Sequence, residues 1–389
     1  MRTIYLDYNA TTPLDESVKE AMLPYLGEIY GNPSSVHHVG QRARAALDDA
    51  RERCANVLRC KPSEIIFTSG ATESCNQAIM CGAWLGREKG RHLVTSAIEH
   101  HAVLHACEYL ANNAGYELSV IPPDSTGRVP AEAICEAIRP DTALVSLMAA
   151  NNEVGTLQPV SEVGEVCANN GTLFHTDAVQ AFGKLPFSGM DQFNADFVSL
   201  CSHKLHGPKG AGVLFSRSPL QLPPLIHGGT HENERRAGTE NVPAIIGLTS
   251  ALEHFVSAPV FPAHKLSPLF EQLKIVVDRS EFASFRGNSC FSLPNTIAFS
   301  LKGTDSIAAL SAFDLEGFCV SSGSACSSGS VSPSHVLAAM GVDSSEANAL
   351  IRVSMGRETT KEEIVAFADA FPRVLNQICR PTTSPTACE

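Results

Sequence analysis

Between about residue 64 and residue 215, short runs of β-branched and other apolar residues alternate with stretches of helical pattern. The predicted strands are Glu64–Phe67, Arg91–Ser96, Glu117–Ile121, Ala143–Met148, Thr172–His175, Asp196–Leu200 and Gly212–Phe215. Strands that alternate with helices usually pair in parallel, because each helix carries the chain back across a face of the sheet. The alternation therefore predicts an α/β fold with a mainly parallel, seven-stranded sheet.

The C-terminal part of the sequence has a different pattern. A helical stretch from Ala244 to about Val256 is followed by Ser257–Pro262, whose prolines favour a boundary. Strand-like runs recur at Asn295–Ser300 and Leu350–Ser354. We expect these later elements to form a second, smaller α+β unit.

These patterns predict the domain organisation. Residues 15–256 are expected to form the large domain, and residues 1–14 are expected to join residues 257–379 in the small one. The length of 389 residues also favours two domains over one. The last residues, 380–389, are rich in Pro and Thr and are expected to be a disordered tail.

Charge and hydropathy narrow the functional classes. The chain has 29 basic and 41 acidic residues, a formal net charge of −12 that disfavours binding to nucleic acids and anionic membranes. Met1–Thr3 leads directly into a strand-like run, which leaves no room for a signal peptide, and no apolar stretch is long enough to span a bilayer. We therefore expect a cytoplasmic protein.

The cysteines and paired histidines do not predict a metal centre. The thirteen cysteines are scattered, odd in number and without a Cys-x-x-Cys pair, so we expect mostly reduced, buried thiols. The pairs His37-His38 and His100-His101 are adjacent, a spacing that points the two side chains in different directions. No metal site is predicted.

Polar residues follow several predicted strands and mark the expected ligand site. Ser69, Asn151, Asp177 and Lys204 all follow strands of the sheet, and α/β proteins bind ligands at the carboxyl ends of their strands. Lys204 follows an apolar strand, as a Schiff-base lysine would, and Asp177 could hold a proton on a pyridine nitrogen. This pair predicts a pyridoxal 5'-phosphate (PLP) site, although each residue alone has a simpler interpretation as a solvated lysine or a turn aspartate.

Three further residues or segments fit the same chemistry. The turn Phe67–Ser74 runs from a strand into a helix start and could hold a phosphate, or be an ordinary helix cap. His100 also follows a strand and could stack on a pyridine ring, or be a capping residue. Arg352 could bind a substrate carboxylate, or form a surface ion pair.

Cys326 has the best claim among the thiols to be a nucleophile. It lies in the Gly- and Ser-rich segment Ser321–Ser330, which is too polar for a core and suits an exposed, reaching side chain. An exposed cysteine without a function is the competing interpretation. The hypothesis therefore depends on the other motifs.

Nine motifs in one order resemble the NifS/IscS-type cysteine desulfurases. Each is weak alone, but together they span about Ile4 to Arg357, nearly the whole chain. They are Tyr5–Pro13, Gly31–Ser35, Ser69–Ser74, Glu99-His100, Asn151–Gly155, Asp177–Gln180, His203-Lys204, Arg236–Asn241 and Gly323–Cys326.

The resemblance implies a fold-type I PLP enzyme that works as a homodimer. Lys204 would bind the cofactor covalently, and His100 would stack on its ring and move protons. The implied cofactor contacts are Ala71, Thr72, Asn152, Asp177, Gln180, Cys201, His203 and Lys204, with Thr239 contributed across the dimer.

The resemblance also implies the reaction. L-cysteine would be held through its carboxylate by Arg352 and Asn32, and its sulfur would pass to Cys326 as a persulfide, leaving L-alanine. A sulfur-acceptor protein, such as an iron–sulfur scaffold, would then receive the sulfane sulfur for cluster, thio-cofactor or tRNA synthesis. Neither nucleic acid nor membrane is an implied partner.

Two departures from the family pattern affect this interpretation. Cys201 stands where the family usually has a phosphate-binding serine, although Ser202 is adjacent. Thr230 replaces a usual glycine, and Asn233-Glu234 replaces a usual Arg-Gly. These changes leave cofactor affinity and the choice of substrate or acceptor open.

Two alternatives remain. Selenocysteine lyases, which act on L-selenocysteine, share this scaffold and several of the motifs, but the Cys326 segment favours the desulfurase. A sulfur-transfer scaffold without catalysis would be expected to lose Lys204, Asp177 or Cys326, and all three are present.

Overall fold

The computed structural model describes residues 3–323 and 333–379. Its strands are β1 (Ile4–Tyr5), β2 (Ile65–Thr68), β3 (His92–Ser96), β4 (Glu117–Ile121), β5 (Thr142–Ser146), β6 (Leu173–Asp177), β7 (Phe197–Cys201), β8 (Gly212–Ser216), β9 (Ala283–Arg286), β10 (Thr296–Leu301), β11 (Phe318–Cys319) and β12 (Leu350–Ser354). Its helices are α1 (Glu16–Leu26), α2 (His38–Leu58), α3 (Ala71–Gly86), α4 (His101–Asn113), α5 (Ala131–Ala137), α6 (Val160–Asn169), α7 (Val242–Phe255), α8 (Ala263–Asp278), α9 (Ser306–Leu315), α10 (His335–Ala339), α11 (Ser344–Ala347) and α12 (Lys361–Ile378).

The seven predicted strands all lie in one sheet, in the order β2-β8-β7-β6-β5-β3-β4. Four of its six pairings are parallel, and β8 runs antiparallel to both β7 and β2. The prediction of an α/β fold with a mainly parallel seven-stranded sheet is confirmed. Strand ends differ from the predicted ones by one or two residues, as is usual where a strand passes into a turn.

Burial explains why the central strands are so apolar. Every residue of β2, β3, β5, β7 and β8 is buried, because helices cover both faces of a sheet of this kind. Helix α3 packs across β5, β7 and β8, and Gly82 allows the close approach. A Cβ at Gly82 would lie 3.1 Å from the Phe197 ring. The packing holds the N-terminus of α3 at the carboxyl end of the sheet.

A smaller antiparallel sheet has the order β12-β10-β9, and helices α8 and α12 pack against each other beside it. Strand β1 pairs in parallel with β11, so the first residues of the chain lie among its C-terminal elements. Asp7 continues this contact by bridging to Ser354 at the end of β12. These pairings bring the N-terminal segment to the edge of the large sheet, where the polar strand ends lie.

The structure also bears on the cysteines, on metal-ligating side chains and on membrane-spanning helices. The cysteines of the described ranges are all free, and seven of those eleven are buried. No group of three metal-ligating side chains occurs in residues 3–323 and 333–379, and no helix there is long and apolar enough to cross a membrane. Cys326 and the expected tail 380–389 lie outside the described residues.

Candidate active site

A cavity of about 540 Å³ opens where β6 and β7 end and α3 and α4 begin. Most of the residues that the sequence singled out line it. These are Ala71, Thr72, His100, Asn152, Asp177, Gln180, Cys201, His203, Lys204 and Arg352. Residues more than a hundred positions apart in sequence are therefore brought to one site by the sheet.

Lys204 projects into this cavity from the turn after β7. Its ammonium nitrogen Nζ donates to the backbone oxygens of Asn9 (2.5 Å) and Ala10 (2.8 Å). Burial lowers the pKa of the Lys204 amine, the nearby Cys201 thiol opposes that shift, and the Arg352 charge adds to it. A buried lysine without a carboxylate in direct contact is readily deprotonated, so its amine is available as a nucleophile or base.

Asp177 ends β6 and is buried. Burial raises the pKa of its carboxyl, and the neighbouring His100 opposes that shift. Its Oδ1 accepts a hydrogen bond from Val179 N (3.0 Å), but no ion pair to this carboxylate exists among the residues described. The site therefore contains a buried acid that lacks a cationic partner.

The start of α3 forms an anion-binding corner. Gly70, with φ of 151°, turns the chain from β2 into the helix, and a Cβ at this position would meet only open space. The first amides of a helix have no intrahelical acceptor and carry the positive end of its dipole. The backbone at Ala71 and Thr72 is thus suited to a phosphate group.

Two histidines face the cavity in the neutral form. Burial lowers the pKa of His100, and burial together with the Lys204 charge lowers the pKa of His203 to about 4. His100 caps α4, its Nδ1 accepting the amide of Ala102 at 3.1 Å, so the neutral ring carries its proton on Nε2. A neutral imidazole is a flat ring that can stack on an aromatic cofactor and still donate a proton.

Arg352 enters the cavity from β12 in the smaller sheet. Its side chain is 3% exposed, its Nη2 lies 2.8 Å from Asp7 Oδ1, and its Nη1 donates to Asn152 O at 2.8 Å. Guanidinium groups bind carboxylates with two parallel hydrogen bonds. Arg352 is therefore placed to bind an acidic group of a small ligand.

Asn32, Asn151 and Thr239 were expected at the site but are not among the residues that line the cavity. Thr239 and Asn32 are exposed on this chain, and Asn32 Oδ1 instead accepts the amide of Ser34 at 2.9 Å. Cys326 cannot be placed, but Gly323, the last described residue before it, lines the cavity. The roles proposed for Thr239, Asn32 and Cys326 remain predictions.

The structure adds residues to which the sequence assigned no role. Asn9 links much of the site: its backbone oxygen also accepts Gln180 Nε2 (3.2 Å), and its Oδ1 accepts Nζ of the fully buried Lys184 (2.7 Å). Lys184 also donates to Gln180 Oε1. Asn9 lies in the motif Tyr5–Pro13, so the sequence analysis included this residue in a motif but predicted no role for it.

The cysteines in the cavity are held as protonated thiols. Burial and the nearby Asp177 charge raise the pKa of Cys75 well above its usual value. Burial raises the pKa of Cys201 to about 11. Since the thiolate is the reactive form, neither side chain is suited to nucleophilic attack near neutral pH.

The two departures from the family pattern have structural consequences. Cys201 lines the cavity, whereas Ser202 does not, and the Ser202 hydroxyl is buried without a partner among the described residues. In the other segment, Glu232, Asn233 and Glu234 all have left-handed backbone angles, with φ of 51°, 56° and 64°. Glu232 is held there by Arg51 Nη2 (2.6 Å) and by the Phe67 amide (2.9 Å).

Comparisons with known proteins agree with this geometry. The family described as aminotransferase class-V matches residues 4–367. "Cysteine desulfurase IscS" of Dictyoglomus turgidum is 43% identical over 378 residues, covering 97% of this chain and 95% of the relative. The protein of the same description from Methanosarcina thermophila is 40% identical, covering 97% and 93%.

A solved structure described as a NifS-like protein superposes with a TM-score of 0.89 at 38% identity, covering 97% of this chain and 100% of the other. The fold and nearly the whole length of the chain are thus shared with one set of enzymes. The predicted resemblance to NifS/IscS-type proteins is confirmed. This chain belongs to the class-V aminotransferase family, in its group of IscS- and NifS-type cysteine desulfurases.

Proposed function

We propose that this protein is a PLP-dependent cysteine desulfurase that converts L-cysteine to L-alanine and keeps the sulfur as a persulfide. The observation that carries the proposal is one cavity that contains a desolvated lysine, Lys204, and an unpaired buried acid, Asp177. The same cavity has an anion-binding helix start at Ala71 and Thr72, and a guanidinium from Arg352. These are the groups that an amino-acid substrate and a phosphorylated pyridine cofactor need.

The residues present fit PLP. When bound, this cofactor supplies an electrophilic aldehyde and an electron-withdrawing pyridinium ring. Asp177 would hold the ring nitrogen, whose N–H is the cationic partner that the buried carboxylate lacks. The α3 N-terminus with His203 would hold the phosphate, and Gln180 and Asn152 would lie beside the ring oxygen.

Lys204 would act first as the covalent anchor and then as the base. Burial lowers the pKa of its amine, which increases the fraction that can accept the proton from the substrate Cα. The carbonyls of Asn9 and Ala10 hold Nζ in the cavity. His100, neutral and with its proton on Nε2, would stack on the ring and pass a proton to the leaving product.

Cys326 would take the sulfur. Its thiolate would attack the sulfur of the substrate, the carbon–sulfur bond would break, and a proton would complete the methyl group of alanine. Cysteine plus the Cys326 thiol thus give alanine plus the Cys326 persulfide, without an external oxidant or reductant. Cys75 and Cys201, the cavity thiols in the described part of the chain, are kept protonated, which supports a nucleophile from the adjoining segment.

The assembly and partners follow from the same proposal. Thr239 is exposed and would complete the phosphate site of a second copy in a homodimer. The persulfide would be passed to an acceptor protein, such as an iron–sulfur scaffold, in the cytoplasm. The net charge of −12 supports a protein acceptor over direct binding to nucleic acid.

The decisive experiment measures alanine formed by the purified protein from L-cysteine and from L-selenocysteine, with excess thiol reductant. Turnover of cysteine at a rate comparable to or above that of selenocysteine supports the desulfurase. Alanine from selenocysteine alone would indicate a selenocysteine lyase. No alanine from either would contradict both activities and favour the scaffold.

Two variants assign the roles. Lys204→Ala should abolish the visible absorbance of bound cofactor and all turnover. Cys326→Ser should keep the absorbance but stop sulfur release, whereas the matched exposed-thiol control, Cys290→Ser, should leave both unchanged. Sulfur release by Cys326→Ser at the normal rate would transfer the nucleophile role to another thiol.

A further inference from the structure

The ion pair between Asp7 and Arg352 lies inside the cavity wall and is largely removed from water. Asp7 Oδ1 is 2.8 Å from Arg352 Nη2, and the two side chains are 18% and 3% exposed. A pair this buried is much less screened by water and salt than a surface pair. The group that would bind the substrate carboxylate is therefore already partly neutralised by a carboxylate of the chain itself.

One nitrogen of the Arg352 guanidinium nevertheless has no partner among the described residues. Nη2 faces Asp7 and Nη1 donates to Asn152 O, whereas Nε is buried and has no partner among the residues described. Buried polar atoms without a partner are rare in folded proteins and often mark a ligand site. A bound carboxylate could thus meet the guanidinium from its Nε side while the Asp7 contact stays in place.

The backbone holds Asp7 in this position. Asp7 bridges in parallel to Ser354, the flanking amides complete that pairing, and the Tyr5 hydroxyl donates to Asp7 O at 3.0 Å. Arg352 lies two residues before Ser354 on β12. Because both partners lie on paired backbone, the ion pair is part of the fold and not a chance surface contact.

We propose that Asp7 is a positioning residue that holds Arg352 and limits how tightly the site binds α-carboxylates. The inference rests on the proposed function, in which Arg352 binds that group. Substrate and product share the carboxylate, so a stronger contact between this group and Arg352 would tighten the binding of alanine as much as that of cysteine. It would slow product release without helping the chemical step. Asp7 opposes this by placing a fixed negative charge against the guanidinium.

The test uses Asp7→Asn in the cofactor-loaded protein, because asparagine keeps an oxygen that accepts from Arg352 and removes only the charge. We expect the dissociation constant for L-alanine, measured by calorimetry and by the visible absorbance, to fall about tenfold, equivalent to 1.4 kcal/mol of binding free energy. The KM for cysteine should fall similarly, while kcat does not rise. Binding of 3-mercaptopropionate, which has the carboxylate but no amine, should also tighten.

Cysteamine provides the discriminating control. It has the amine and thiol of cysteine but no carboxylate, so Asp7→Asn should not tighten its binding, whereas a general change in the cavity would move all three ligands together. Asp15→Asn is the matched variant, because Asp15 lies in the same N-terminal part of the chain and pairs with an arginine, Arg357, that does not line the cavity. It should leave all three affinities unchanged.

Unchanged or weaker alanine binding by Asp7→Asn would overturn the inference. If that variant does not fold, Asp7→Ser is the second test, with the same expected direction for alanine and for cysteamine. Failure of the proposed function is a different result: the wild-type protein would then bind neither PLP nor alanine. A wild-type protein that turns over cysteine, with a variant that binds alanine no better, rejects only the role of Asp7.

Discussion

Replacement of Lys184 by methionine should change how the stability of the cofactor-free protein depends on pH. Lys184 is fully buried, and its Nζ donates to Asn9 Oδ1 and Gln180 Oε1 and lies 5.3 Å from the centre of the Phe261 ring. Burial, followed by the charges of Lys204 and Arg352, lowers the pKa of its amine well below the usual value. The folded protein therefore binds fewer protons at this site than the unfolded chain does.

This difference in bound protons determines the sign and the size of the pH dependence of stability. Below about pH 10.5 the Lys184 amine of the unfolded chain is protonated, so folding must release that proton. The free energy of unfolding of the wild type should therefore fall by up to about 1.4 kcal/mol per pH unit as the pH decreases. The decline ends where the folded amine itself becomes protonated. Methionine removes this dependence but also removes two donated hydrogen bonds, which contribute about 2 kcal/mol together.

The cost of deprotonating Lys184 on folding should equal the contribution of the two hydrogen bonds about 1.5 pH units below the usual lysine pKa, near pH 9. Above about pH 9 the wild type should be the more stable protein, and below it Lys184→Met should be. Urea unfolding of both proteins at one protein concentration, from pH 7.5 to pH 10, measures the difference. The exposed Lys302→Met is the control and should give parallel curves. A constant difference between wild type and Lys184→Met would refute the reasoning.

The remaining predictions concern the cavity. Asp177→Asn should weaken PLP binding and lower alanine formation at least about a hundredfold, because a neutral amide cannot keep the ring nitrogen protonated. PLP titration by absorbance measures the binding, and alanine assays measure the turnover. An active Asp177→Asn variant would reject the role assigned to Asp177. Cys75 and Cys201 should resist a thiol reagent at pH 8 in the native protein, since burial keeps them protonated, whereas the exposed Cys290 should react fast. Mass spectrometry of the labelled peptides distinguishes them, and fast labelling of either cavity thiol would contradict the buried geometry.

The sheet could be predicted from the sequence because its strands are covered on both faces. A strand such as Phe197–Cys201 must then be almost wholly apolar, and polar residues appear only where it ends. Lys204 and Asp177 stand out for that reason. The rule about strand carboxyl ends was enough to place them in one cavity with the helix start at Thr72.

Other parts of the site depend on contacts that no local pattern contains. Asn9 forms hydrogen bonds with residues 143 to 345 positions away, and its role follows from the pairing of β1 with β11 rather than from its neighbours in sequence. Lys184 looks like an ordinary surface lysine before a proline-containing turn, and only the tertiary packing shows that it is buried. For Asp7, likewise, the sequence offered no means of predicting a partner on β12.

The pairing of the first strand with late elements has a consequence for biosynthesis. Strand β1 leaves the ribosome well before its partner β11 and before the Ser354 hydroxyl that accepts the Asn9 amide at 2.9 Å, since both are made more than three hundred residues later. The large sheet can form on the nascent chain, yet the carbonyls that hold Lys204 reach their final position only after β11 and β12 have been made. We expect the growing polypeptide to complete the cavity around Lys204 only after the large sheet has folded.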